Sequence, residues 1–133
     1  MQLQKETHTS RFESEYQQAI VNVLHTFNWC NDKLKQLVTP YEITTQQFNI
    51  LRILRGQFPS PSTINLLKQR MLDKMCDASR IVDRLVQKNL VLKEPNQGDK
   101  RSVSILIRKR GVALLKKMDS EISIWGIVSS NLT

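Results

Sequence analysis

The segment that decides the fold extends from Asp77 to Gly111 and reads DASRIVDRLVQKNLVLKEPNQGDKRSVSILIRKRG. Its first part spaces apolar residues three and four apart, which is typical of an amphipathic helix. Two short β-like stretches follow, the second with alternating apolar residues, and the connection between them contains Pro95 and Gly98, which favour a turn. We therefore predict a helix over 77–88, strands over 90–93 and 102–107, and a hairpin tip between the strands.

The excess positive charge of the chain lies in the same region. The 133 residues carry a formal net charge of +8. Between Lys68 and Lys117 there are fourteen Lys or Arg against five Asp or Glu, a net charge of +9, whereas the rest of the chain carries −1. A generally basic surface is the alternative interpretation, but it would spread the charge evenly. Charge confined to one helix and hairpin favours contact with a phosphate backbone.

Other features of the sequence exclude several classes of protein. The chain is long enough for one domain, and no apolar run approaches the roughly 18 residues of a membrane span. The polar opening MQLQKETHTSRFESEY has no secretory core. Cys30 and Cys76 lack metal-ligand spacing and suit a reducing cytosol. No nucleophile elbow, phosphate loop or dinucleotide fingerprint occurs. We expect a cytoplasmic protein that is not an enzyme, binds no cofactor or metal and contacts no membrane.

The remaining elements are helices. Apolar spacing predicts a long amphipathic helix from about Ser10 to Leu37, with a stripe longer than a small domain needs. A second helix, capped by Thr44 or Thr45, ends near Gly56. We further predict a short helix over 62–69 and a last one from Lys109 to the C-terminus. This order is that of a mainly α fold with a β-hairpin wing, a winged helix-turn-helix flanked by long terminal helices.

The stretch ASRIVDRLVQKNLV (78–91) and the triplet Asp99-Lys100-Arg101, followed by Gly111, resemble the MarR family of bacterial transcription regulators. The first resembles the family's recognition helix running into the wing, and the second its Asp-x-Arg wing signature. The resemblance covers about residues 44–115. It implies a single domain over 1–133, with dimerisation helices at about 10–38 and 109–133 and a DNA-binding unit at about 43–108.

Three positions depart from the family's pattern. Asn89 stands where a Gly usually closes the recognition helix, and Asn is the next best residue for a left-handed backbone. Arg108 stands where a capping Thr usually opens the last helix. Cys76 occupies a place where Ser or Asp commonly starts the recognition helix.

The first turns of the predicted recognition helix supply the candidate DNA contacts. Arg80 is the best candidate for direct readout, because a guanidinium can pair bidentately with guanine. Asp77 is expected to cap the helix rather than read cytosine, and the Ala78 methyl can meet a thymine methyl unless it packs inward. Arg84 and Lys88 are expected to clamp phosphates, with an ion pair inside the domain as the alternative for Arg84. The full candidate set is Ser62, Asp77, Ala78, Ser79, Arg80, Arg84, Lys88, Asp99, Lys100 and Arg101.

At the wing, Arg101 fits a narrow minor groove, where negative potential concentrates. The resemblance implies that Asp99 orients this arginine by an ion pair, and Lys100 would add nonspecific attraction. An idle, solvated hairpin tip is the alternative.

The resemblance also implies a homodimer whose terminal helices interdigitate, and a pseudo-palindromic operator with half-sites about one helical turn apart. A monomer whose end helices complete its own core is the alternative. The candidate interface residues are Phe12, Tyr16, Ile20, Ile122, Trp125 and Val128.

Two further expectations concern regulation. Cys30 lies on the apolar stripe and is expected to be a buried packing residue. Cys76 is the redox candidate, since a helix N-terminus lowers the pKa of a thiol, although a simple cap is the favoured interpretation. A small-molecule effector, if there is one, is expected in the cleft between the dimerisation helices and the winged unit. Residues 27, 29, 41 and 48 are aromatic candidates for its lining, with core packing favoured for each.

These observations predict a sequence-specific regulator that binds double-stranded DNA as a homodimer and represses transcription. A thiol-based redox switch on the same fold and a winged-helix module that binds a protein are the alternatives. Neither the operator nor the effector follows from the sequence.

Overall fold

The computed structural model describes residues 11–96, 98 and 101–121, and the chain divides into two compact units, residues 1–40 and 41–133. The described part of the first unit is helix α1, Arg11–Val38, which continues into a short 3-10 turn, Thr39–Tyr41. Its bounds agree with the predicted helix to within a residue or so. Several of its large apolar side chains are exposed in the single chain, among them Tyr16, Ile20, Val23, Leu24 and Phe27.

Two expectations for α1 are wrong. Cys30 is exposed rather than buried, and the side chain of Phe27 is 59% exposed rather than packed in a core. Both lie on an amphipathic helix whose apolar face is open in the single chain, so apolar spacing does not translate into burial here.

The second unit holds the winged helix-turn-helix. Its described elements are helices α2 (Thr45–Gln57), α3 (Ile64–Arg70), α4 (Ala78–Gln87) and α5 (Lys109–Glu121), and strands β1 (Val91–Pro95) and β2 (Val103–Ile107). The two strands are antiparallel, with Val91 opposite Ile107 and Pro95 opposite Val103. The mainly helical fold with a two-stranded wing is therefore confirmed.

Local signals place the ends of these helices. Thr44 caps α2 through a reciprocal capping box with Gln47: the Thr44 hydroxyl accepts from the Gln47 backbone N–H at 3.1 Å, and the Gln47 side chain accepts from the Thr44 N–H. At the end of α4, Asn89 has a φ of 60°. The N–H groups of Asn89 and Leu90 then donate to the carbonyls of Val86 and Leu85, which is a Schellman motif. The expected left-handed role of Asn89 is confirmed.

The start of α3 differs from the prediction. We expected this helix to begin at Ser62, but Thr63 caps it and Ser62 forms a backbone bridge to Ile105 instead, with N···O distances of 2.9 and 2.8 Å. Ser62 is 1% exposed, so its expected contact with DNA is contradicted. The prediction failed because this pairing joins residues far apart in sequence.

Pro95 was expected in the hairpin turn but is the last residue of β1. Proline lacks a backbone donor, and the end of a strand is a position where that donor is dispensable. The ladder is continued by the next residue, whose Asn96 N–H donates to the Ser102 carbonyl at 3.1 Å.

One core supports the described part of this unit. Ile50, Leu51, Leu67, Val82, Leu85, Val91, Ile105 and Leu115 are fully buried in it. Gly111 brings α5 against the end of α4, since a Cβ added there would lie 2.6 Å from the Leu90 carbonyl oxygen. The core thus fixes α4 by its inner face and leaves its outer face to solvent.

Candidate nucleic-acid interface

Helix α4 presents one buried face and one polar face. Ala78, Val82 and Leu85 are fully buried, three and four residues apart. On the outer face, the exposed residues are Arg80, Asp83, Arg84 and Gln87. A helix of this kind packs on the core through its inner face and leaves the side chains of its outer face accessible to a partner.

The residues of the first turn of α4 differ in whether their side chains are available to contact DNA. Asp77 is the cap: its carboxylate accepts from the Arg80 backbone N–H at 3.2 Å, which confirms the capping role. Ala78 packs inward at 0% exposure, so its methyl group is not available to a thymine and that expectation is wrong. Ser79 is half-buried, and Arg80 is exposed. Arg80 is therefore the long cationic side chain of this turn that faces solvent.

The two cations expected to clamp phosphates differ. Arg84 is exposed, and the structure gives it no ion pair with another described residue. Its neighbour Asp83 is neutralised by Lys93 on β1 at 2.9 Å. The outer face of α4 thus keeps its arginines while its own acid is paired.

Lys88 does not fit the expected role. Its ammonium donates to the Glu42 carbonyl and to the Gln47 side-chain oxygen, the latter at 3.2 Å, and the residue is half-buried. It joins the end of α4 to the start of α2. These hydrogen bonds compete with the expected phosphate clamp, because the ammonium is already engaged by oxygen acceptors of the protein.

Residues 71–77, between α3 and α4, are held by side-chain hydrogen bonds that were not predicted from the sequence. Lys74 turns back to donate to the Gln69 carbonyl at the end of α3, and Asp73 accepts from the Met75 N–H at 3.0 Å and from the Gln46 side chain at 3.1 Å. A lysine just after a helix is a recognisable signal for such a contact with the last carbonyls. These bonds hold the segment that precedes the first turn of α4.

At the wing, Arg101 lies in the turn before β2 and is exposed. The Gly98 N–H donates to the Asn96 side chain at 3.0 Å and shapes the tip. Asp99 and Lys100 lie outside the described residues, and so does the expected ion pair between Asp99 and Arg101. Of the expected interface residues, Tyr16 and Ile20 are exposed, the Phe12 side chain is not described, and Ile122, Trp125 and Val128 lie outside the described residues.

Comparison with known proteins identifies this architecture. Residues 43–103 match the model of the MarR family. The HTH-type transcriptional regulator PecS of Dickeya dadantii is 30% identical over 90 residues, which are 66% of this chain and 54% of PecS. Over residues 43–103 the chain is similar to the MarR family. It spans little more than half the length of PecS.

Solved MarR structures agree with the fold. A MarR transcription factor from Planctomyces limnophilus is 25% identical with a TM-score of 0.69, and the match covers 79% of this chain and 76% of the other. A mutant MarR from E. coli complexed with operator DNA is 27% identical with a TM-score of 0.65, covering 84% and 78%. The MarR resemblance read from residues 78–91 and 99–101 is therefore confirmed.

The departures from the MarR pattern have different consequences. Arg108 opens α5 through its backbone, since its carbonyl accepts from the Val112 N–H and its own N–H donates to Leu90, both at 3.0 Å. Cys76 lies one residue before the Asp77 cap, so it is not the cap itself. Burial, followed by the nearby Asp73 carboxylate, raises the pKa of the Cys76 thiol. The expectation of a lowered pKa is wrong, because desolvation and the acidic neighbours outweigh the backbone hydrogen bond and the Lys74 ammonium, which lower the pKa.

Two of the aromatic residues considered for an effector cleft lie in the second unit. Phe48 is 7% exposed and belongs to the core, as expected. Tyr41 is half-buried and donates to the Glu121 carboxylate, and this hydrogen bond raises the pKa of the Tyr41 hydroxyl. Among the described residues, no helix combines the length and apolar character needed to cross a bilayer.

Proposed function

We propose that this chain is a transcriptional regulator of the MarR type that binds double-stranded DNA in a sequence-specific way and acts as a repressor. The observation that carries the proposal is the outer face of α4. Arg80 and Arg84 are exposed there, the intervening Asp83 is paired with Lys93, and the opposite face is buried. A helix of this kind can enter a major groove about 12 Å wide.

The charge distribution supports the same proposal. The region 68–117, which contains α4 and the wing, carries a net charge of +9 while the rest of the chain carries −1. Cations on one unit release counterions from DNA and steer association. The related E. coli protein was solved with operator DNA, which makes an operator the natural partner to test here.

In this proposal Arg80 reads a base and Arg84 contacts a phosphate. Arg101 enters the minor groove from the wing, and Ser79 contributes a base or phosphate contact at the start of α4. Asp77 serves by capping the helix that presents these groups. Asp99 and Lys100 keep the wing roles that the resemblance implies.

We propose further that the chain is a homodimer through α1 and the residues after 109. The exposed apolar side chains of α1 support this proposal, with Tyr16 and Ile20 each 59% exposed in the single chain. A contiguous apolar stripe of that kind is typical of an interface. Two copies related by a two-fold axis would require a pseudo-palindromic operator. Such a protein would act on DNA in the cytoplasm, and a small-molecule effector that favours one spacing of the two α4 helices would release it.

The experiment is a binding selection from a randomised duplex library with the wild-type chain and with Arg80→Ala. The proposal predicts a pseudo-palindrome for the wild type, and for the variant the same motif with one base pair per half-site relaxed. Arg52→Ala is the charge-matched control, because it removes the same charge from α2 and should leave the motif intact. Failure to enrich any motif would contradict the proposal and favour a winged-helix module that binds a protein.

A further inference from the structure

The segment 71–77 between α3 and α4 has an unusual distribution of side chains. Leu72 is 86% exposed and Met75 is 94% exposed, whereas the other exposed large apolar side chains of the described chain reach 67% at most. The segment is anchored at both ends, since Met71 is 1% exposed and Ala78 is 0% exposed. The two apolar side chains therefore project from a segment fixed in the core on either side.

The polar side chains of the same segment are used on the protein itself. Asp73 accepts from the Met75 backbone N–H and from the Gln46 side chain, and Lys74 donates to the carbonyls of Gln69 and Lys68. The segment thus directs these polar groups to other parts of the protein or to its own backbone, and its large apolar groups to solvent. This is the reverse of the distribution that solvent alone favours, so these apolar groups fit a surface that meets a partner.

Charge and position indicate which partner. Met75 lies two residues before the Asp77 cap, next to the turn that holds Arg80. The exposed cations of α3 and α4 around this segment are Lys68, Arg70, Arg80 and Arg84, and the acids Asp73 and Asp77 are occupied by hydrogen bonds. A hydrophobic protein interface needs a contiguous apolar core, whereas here two apolar side chains stand among charged residues.

The major groove of DNA matches this arrangement, because it offers isolated thymine methyl groups within a strongly negative surface. We propose that Met75, assisted by Leu72, reads thymine by contacting its C5-methyl group beside the base pair that Arg80 contacts. This inference rests on the proposed function and adds a specificity determinant to it. Recognition of the methyl group requires only an apolar contact, which the flexible thioether side chain of Met75 can provide.

The test replaces each thymine of the selected duplex by deoxyuridine, which removes one methyl group and changes nothing else. For the wild type, we expect one symmetry-related pair of positions at which affinity falls about fourfold per methyl, the effect of burying one such group. In Met75→Gln this loss should disappear, and in Met75→Leu, which keeps an apolar side chain of similar volume, it should remain. The same series with Leu72→Gln measures the smaller contribution of Leu72.

Because Met75 is exposed, these variants should leave the fold intact, and circular dichroism with urea unfolding checks this. Binding that is sequence-specific but indifferent to deoxyuridine, or equally sensitive in Met75→Gln, overturns this inference and leaves the proposed function standing. Absence of any preferred duplex overturns the proposed function and this inference together. Loss of sensitivity in Met75→Gln with retention in Met75→Leu supports both.

Discussion

Arg84 and Lys88 lie one turn apart on the same helix, yet they have different surroundings. Arg84 is exposed, whereas the Lys88 ammonium is held by the Glu42 carbonyl and the Gln47 side chain. Spacing alone assigns both residues to one helix face and to one task. Tertiary contacts distinguish the two residues, because the Lys88 ammonium would have to break its hydrogen bonds to protein oxygens in order to reach a phosphate.

The two residues should therefore respond differently to substitution. Arg84→Ala should reduce the slope of log affinity against log salt by about 0.9 per half-site, the effect of losing one phosphate contact in each subunit. Lys88→Met should leave that slope unchanged and lower the free energy of unfolding by about 1 kcal/mol. Titrations at several salt concentrations and urea unfolding measure the two effects. An equal loss of slope in both variants would show that Lys88 leaves its protein acceptors to contact DNA.

Cys76 provides a test that depends on pH. Burial and the neighbouring Asp73 raise the pKa of its thiol, so the reactive thiolate forms only at a higher pH than in free cysteine. In a Cys30→Ser background, we expect alkylation by iodoacetamide to be slow at neutral pH and to reach half its maximal rate at a higher pH than glutathione does. Mass spectrometry follows the reaction. A midpoint below that of glutathione would restore the redox interpretation of Cys76.

At the scale of the elements, Gly111 sets the packing of α5 on the end of α4. A Cβ at this position would lie 2.6 Å from the Leu90 carbonyl and 2.8 Å from the Ile107 side chain. Gly111→Ala should therefore lower the free energy of unfolding by about 1–3 kcal/mol through overpacking. Gly56 is the matched control, because nothing lies within 4 Å of its added Cβ.

Gly56→Ala lies in the last turn of α2 and should be neutral or stabilise the protein by up to about 1 kcal/mol, the difference in helix propensity. Urea unfolding of both variants measures the contrast. Equal stabilities would contradict the close approach of α5 to Leu90.

The elements also show what a sequence can predict and why. The bounds of α1 and the caps at Thr44, Asp77 and Asn89 were predictable because capping and apolar spacing act between residues a few positions apart. The pairing of Ser62 with Ile105 and the bond from Lys88 to Glu42 were not, since each joins residues more than 40 positions apart. The outward direction of Leu72 and Met75 escaped prediction for the same reason: it depends on how the anchors of their segment pack.

For the candidate site too, local periodicity was predictable from the sequence, whereas burial set by packing was not. Arg80 and Arg84 were correctly placed on an exposed helix face by periodicity alone. Ser62 and Ala78 were misplaced, because a small residue beside a helix start gives no local indication of whether it packs inward. Cys30 was misplaced for the opposite reason, since its apolar spacing is real but the face it belongs to is open in the single chain.

At the scale of the whole molecule, the open face of α1 carries the proposal of a homodimer. Ile20 is 59% exposed, so Ile20→Glu should leave the fold of one chain intact while placing a charge inside the proposed interface. We expect this variant to be monomeric by analytical ultracentrifugation at concentrations where the wild type is dimeric, and to bind the selected duplex weakly.

Asn22→Glu is the control for that prediction, because residue 22 is exposed and helical periodicity places it on the opposite side of α1 from Ile20. The control should remain dimeric. A wild-type chain that is monomeric at all concentrations, or an Ile20→Glu variant that stays dimeric, would contradict an interface through this face.

The measurement that tests the central claim most directly is a titration of the wild-type chain with its selected duplex and with a scrambled duplex of the same composition, at physiological salt. A sequence-specific regulator predicts that the selected duplex binds at least about a thousandfold more tightly than the scrambled one. Equal affinities that vanish together as salt rises would contradict the account, since only the positive charge of residues 68–117 would then be contributing.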